Sequence, residues 1–200
     1  MRDPPREEEP FEVADVRPPK KRKGRLAAEY VVKVAVMSAL LTALKFALSF
    51  VPNVEVVTVL VMVYAAVFGA VYVLPAAIVF CAVEIAIYGA GSWVILYFLY
   101  WPLLAAVSCV AFSGKRNVIA AAALAAVMSA FFGVLSACCD TLYVAVGFPD
   151  LDLGAYWVAY YIRGLWFDLV HIVSNVVVVS ALFIPLCKAG DRIKRGGTRS

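Results

Sequence analysis

An all-α membrane protein, a bundle of six transmembrane helices with both termini cytoplasmic, is the fold class this sequence predicts. Three observations lead there. Of the 200 residues, 64% are hydrophobic and only 16% charged, and the mean hydropathy is +0.89, well outside soluble-domain averages. The charge is crowded at the ends: nearly half of the 18 Lys+Arg and of the 14 Asp+Glu fall within residues 1–25. Between the ends, apolar stretches follow one another near the length a bilayer sets, roughly 20 residues for a core of about 30 Å. The net charge of +4 sits where membrane topology would place it, so it carries no argument for nucleic acid.

Residues 1–26 are rich in Pro, Glu and Arg and read as a disordered charged cytoplasmic tail. They lead with acidic residues and hold no apolar run before the Lys20–Arg25 cluster, unlike a secretory signal peptide. A transmembrane domain over 27–187 follows, in six segments: Ala27–Val51, Val54–Gly69, Ala70–Tyr88, Trp93–Phe112, Val118–Ala145 and Tyr156–Leu186. The breaks are short: Pro52–Asn53, a bare turn at Gly69, and residues 88–92, 113–117 and 147–154. Residues 188–200 form a basic cytoplasmic tail. An even number of crossings puts the Lys20–Arg25 cluster, Lys115–Arg116 and the tail's Lys188, Arg192, Lys194 and Arg195 on one side. Glu55, Asp150 and Asp152 mark the other side, whereas five or seven crossings would scatter the basic loops.

The first helix carries Ala35, Ala39 and Ala43, a small-xxx-small stripe that lets another helix approach closely. Ser38, Thr42 and Lys45 occupy a different face. In the fourth helix Trp93, Tyr97, Tyr100 and Trp101 fall at i, i+4, i+7 and i+8, one face running two turns inward. An interfacial aromatic belt needs only the first turn; a stacking surface for a ligand is the other reading. At about 1.5 Å per residue the last segment reaches roughly 47 Å, too long for one span. Tyr156–Arg163 is therefore expected to be an outer, interfacial start, with Gly164 as a bend. Beyond it Asp168, His171 and Asn175, at i, i+3 and i+7, stack on one face. His171 is the sole histidine.

Counting residues from each helix start places Lys45, Glu55, Asp140, Arg163, Asp168 and His171 at one depth near the outer surface, with Glu84 somewhat deeper. Ionisable groups inside a membrane are expensive and face a partner or a polar cavity. Because the inner half holds almost none, the pattern predicts a cavity open to the outside and closed toward the cytoplasm. The same residues have structural readings: Lys45 and Arg163 snorkelling to headgroups, a Lys45–Glu84 pair, or a private Asp168–His171 pair that locks the last helices.

Nothing in the chain points to chemistry. Cys81, Cys109, Cys138, Cys139 and Cys187 lack metal-ligand spacing and read as small buried apolar residues. No HExxH, GxSxG or Walker A loop is present. Ser174 beside Asn175 and His171 lacks an oxyanion donor pair. No enzyme activity, catalytic residue, metal or cofactor is expected.

Three stretches, at 49–69 (SFVPNVEVVTVLVMVYAAVFG), 91–101 (GSWVILYFLYW) and 155–175 (AYWVAYYIRGLWFDLVHIVSN), together with the six-helix plan and the alanine stripe, resemble a family. Over residues 27–186 the chain is similar to the substrate-binding S component of energy-coupling factor (ECF) transporters, prokaryotic ABC-type vitamin importers of the plasma membrane. The resemblance implies capture of a micronutrient from outside, in a pocket capped by the loop after helix one and lined by helices four to six. It also implies docking through Ala35, Ala39 and Ala43 onto a membrane coupling subunit driven by two ATPases. Trp93, Tyr97, Tyr100 and Trp101 would then stack on a ring, Asp140, Asp168, His171 and Asn175 would supply hydrogen bonds, and Lys45 or Arg163 would meet an anionic group. Cobalamin, a thiamine-like or pyridine vitamin, or a deazapurine base would fit such a site. The long charged N-terminal tail departs from the family's compact form. The alternative is a scaffolding membrane protein without a ligand; a self-powered transporter would need an inverted repeat or an inward polar path.

Overall fold

A computed structural model describes residues 20–196 except residue 115; residues 1–19 of the tail expected at 1–26, and the last four residues, lie outside the described range. The chain folds into six helices, α1 (Lys20–Leu48), α2 (Val57–Phe68), α3 (Ala70–Tyr88), α4 (Ser92–Ala111), α5 (Val118–Gly147) and α6 (Leu153–Gly196), with no strand among the described residues. Five of them, all but α2, are long and apolar enough to cross a membrane. The protein is a multi-pass helical membrane bundle. The boundaries of α3, α4 and α5 fall within two residues of those expected from the apolar stretches.

The two outer helices run further than expected. Helix α1 begins at Lys20, so the basic cluster continues the first span as helix. Helix α6 is unbroken over 44 residues and takes in the expected interfacial start, Gly164 and the basic tail up to Gly196. A glycine inside a helix costs only about 1 kcal/mol, and the α5 neighbour alongside holds α6 together through Gly164.

The expected full crossing at Val54–Gly69 is instead a helix of 12 residues, about 18 Å long. Nine consecutive residues, Val57–Ala65, and Val67 are buried. A helix apolar on every side is surrounded by protein, and α2 touches all five other helices. It ends at Gly69, whose φ of +81° is readily available only to glycine, and α3 starts at the next residue.

Two cations close the C-terminal end of this buried helix. Arg116, in the α4–α5 connection, forks onto Asp191 of α6 (Nη1–Oδ2 2.5 Å, Nη2–Oδ1 3.1 Å) and donates from Nη2 to the Ala66 carbonyl at 2.9 Å. Lys194 donates to the Val67 carbonyl at 2.7 Å. Both carbonyls lie in the last turn of α2, where no intrahelical donor remains and where a cation complements the helix dipole. The α4–α5 connection and the far end of α6 thus share one end of the bundle; the α1–α2, α3–α4 and α5–α6 connections share the other.

Helix α1 packs on α3 through Val34, Met37, Ser38 and Leu41, with the Ser38 hydroxyl 3.0 Å from the Ala76 carbonyl. Ala35, Ala39 and Ala43 lie on its opposite, exposed face beside Val36 and Leu40. Helices α5 and α6 form a long hairpin, zipped by Ser136–Tyr160 (3.4 Å), Cys138–Trp157 (3.4 Å) and Asp140–Tyr156 (2.7 Å).

Replacing Arg116 with Met should cost about 1–3 kcal/mol, the scale of hydrogen bonds to charged groups, read as a lower thermal midpoint in detergent. Arg116→Lys should recover only part of it, because the fork is lost. An unchanged midpoint for Arg116→Met would show that the end of α2 does not depend on this clamp.

Candidate functional site

The site is built around residues 49–56, which turn inward between α1 and α2. Pro52 fixes the entry, and Asn53 takes a left-handed backbone (φ +59°) that asparagine tolerates better than most residues. The Asn53 carbonyl accepts from the Ser174 hydroxyl at 2.8 Å. Glu55 Oε2 accepts from the Thr58 backbone N–H at 2.9 Å, meeting one of the free donors at the start of α2. Its other oxygen, Oε1, lies 3.6 Å from His171 Nε2. The loop is therefore clipped to α6 at His171 and Ser174, near the midpoint of that helix. Irregular backbone at such depth is tolerated where it is buried in protein or lines a cavity.

The expected Asp168/His171/Asn175 face is present, and its three members go separate ways. The buried His171 turns to Glu55, with its ring edge-on to Phe132 (centroids 5.2 Å apart). Asn175 is fully buried and donates to the Ser129 hydroxyl of α5 at 2.9 Å. Asp168 meets no donor among the described residues. Its carboxylate lies against Gly133 of α5, where any Cβ would overlap it. Glu55 Oε1, Thr58 Oγ1 and Tyr100 Oη are buried with no hydrogen-bond partner among the described residues, so the polar core of this region has acceptor and donor capacity to spare.

Asp168 opens into a half-open cavity of about 670 Å³, within the size range of small-molecule sites. Pro52 and Asn53 wall it on the loop side, Phe132, Gly133 and Ser136 on α5. Helix α6 contributes Tyr160, Tyr161, Arg163, Gly164 and Phe167 beside Asp168. Arg163 stands at the exposed rim, its Nε donating to the Ala159 carbonyl of its own helix at 3.2 Å.

Other expected members of the site lie elsewhere. Tyr100 (0% exposed) and Trp101 (4%) are core residues. Trp101 packs edge-on against Phe80 of α3 (5.7 Å) and Tyr100 against Phe132 (4.8 Å), while Trp93 and Tyr97 continue the ladder. The stripe faces the bundle interior, and Phe132 stands between it and the cavity. Lys45 pairs with the buried Glu84 carboxylate and lies over the Tyr88 (4.8 Å) and Tyr97 (5.1 Å) rings. Asp140 holds the Tyr156 hydroxyl, twelve residues and so about 18 Å along α6 from Asp168. The single depth expected for six ionisable residues is thus three places, because the α5–α6 hairpin reaches well past the α1–α2 loop.

Residues not singled out from sequence, Asn53, Phe132, Gly133, Ser136, Tyr160, Tyr161 and Phe167, make most of the wall. Part of the signal was available. Tyr160, Gly164, Asp168, His171 and Asn175 continue one helical face at i, i+4, i+8, i+11 and i+15. Gly133, a lone glycine inside a long Ala-rich helix, marked a close approach. No group of three or more His, Cys, Asp or Glu side chains gathers to hold a metal ion among the described residues, and all five cysteines are free. The chain matches no protein-family model, no curated protein and no solved structure.

Glu55→Gln and His171→Ala should each release the loop, raising amide hydrogen exchange over residues 49–56 by tenfold or more while the α3–α4 contact keeps its protection. Unchanged exchange in the loop would show that Ser174 and packing alone hold it.

Proposed function

We propose that this protein is a membrane-embedded capture subunit that binds a vitamin-like micronutrient in the cavity between residues 49–56 and the α5–α6 hairpin. One observation carries the reading: Asp168 is an unanswered carboxylate at a ligand-sized cavity. Lys45 is paired with Glu84 and Arg116 with Asp191, and Glu55 has the Thr58 N–H on one oxygen and His171 3.6 Å from the other. A protein whose polar groups served only to lock its helices would have no reason to leave this one open, nor to keep Gly133 free of a side chain behind it.

In this reading the S-component resemblance supplies the division of labour. The end bearing the loop faces outside, and both termini lie in the cytoplasm of a prokaryotic cell. The loop covers the ligand; Phe132, Tyr160 and Phe167 take the stacking role that Trp93, Tyr97, Tyr100 and Trp101 would have had. The exposed Ala35, Ala39 and Ala43 face of α1 offers a coupling subunit a smooth docking surface, and two ATPases supply the energy. The paired Lys45–Glu84 and the interior aromatic ladder would serve a scaffolding protein equally well, so Asp168 is what separates the two readings.

Mass spectrometry of gently purified protein tests this. A stoichiometric small molecule should accompany the parent and be lost from a folded Asp168→Asn variant. A parent that carries nothing, and whose thermal midpoint no vitamin raises, would leave the scaffolding reading in its place.

A further inference from the structure

We infer that the captured ligand is a ring compound bearing a cationic N–H group, such as a protonated amine, an amidine or an aminated heteroaromatic ring, held with that group on Asp168. This rests on the capture reading above and names the class of substrate. An ionised carboxylate offers only acceptors, so a partner for Asp168 must donate. No described residue donates a hydrogen bond to it. Arg163, the one cation on the cavity wall, stands at the exposed rim with its Nε engaged by its own helix, and no ion pair links it to Asp168 among the described residues.

Gly133 fixes the geometry. With no Cβ at this position, the carboxylate lies flat against α5, one side covered by backbone and the other turned to the cavity. A neutral, apolar ligand closing over it would strip water from the carboxylate and return nothing, which is strongly unfavourable. An anion would add repulsion. At this end of the bundle Glu55, Asp140, Asp150 and Asp152 accompany Asp168, while Lys45 is already taken by Glu84. The field therefore favours a cation. Aromatic walls suit the same ligand, since the faces of Phe132, Tyr160 and Phe167 attract a flat, positively charged ring, and Ser136 and Asn53 offer polar anchors at its edge.

The test is a charge series on the full chain in nanodiscs, with thermal midpoint and equilibrium binding as readouts. Benzamidine and pyridoxamine are the cationic probes, nicotinate and biotin the anionic ones. The proposal expects a cationic probe to stabilise the parent by several degrees. Asp168→Asn, checked for folding by circular dichroism and size exclusion, should weaken that binding at least thirtyfold. Asp140→Asn, which removes a charge at the same end but outside the cavity, should leave it within about twofold. An anionic probe whose binding survives Asp168→Asn and is lost in Arg163→Gln would overturn the cationic class while leaving capture intact. If no probe of either charge stabilises the parent and nothing co-purifies, the capture reading falls and this inference falls with it.

Discussion

A charge among apolar helices must be met by an opposite charge or by donors, or it costs several kcal/mol. That constraint orders this bundle. Glu55 is the residue it acts on most: one oxygen holds the start of α2, the other approaches His171 on α6, and the loop between α1 and α2 is drawn inward as a result. At the opposite end Arg116 does the matching work, joining Asp191 to the last turn of α2. A short, largely buried apolar helix is thereby held at both ends by charged side chains.

Much of the fold was legible because the bilayer imposes a length on apolar segments. That is why α3, α4 and α5 could be bounded closely from composition alone. The shortness of α2 was not legible: a run of Val, Leu, Met and Ala reads the same whether lipid or protein surrounds it. The long α5–α6 hairpin defeated depth counting, since counting from helix starts assumes that all helices end at one plane. Asp140 was misplaced for that reason.

The site was legible in kind and only partly in detail. Spacing put Asp168, His171 and Asn175 on one face, and they are on one face. Which of them meets protein and which meets the cavity depended on partners far away in sequence, Glu55 for His171 and Ser129 for Asn175. The aromatic stripe on α4 had the right residues and the wrong direction. Helical periodicity says which residues share a face; it does not say what that face looks at, and here it looks at Phe80 and Phe132.

An electron cryomicroscopy map of the protein as purified in nanodiscs tests the cavity over Asp168 most directly. Capture requires density for a compact molecule between Asn53, Phe132 and Phe167, within hydrogen-bond distance of the Asp168 carboxylate, with residues 49–56 closed over it. A cavity filled by a lipid chain, or collapsed with Asp168 paired to a protein cation, would contradict it.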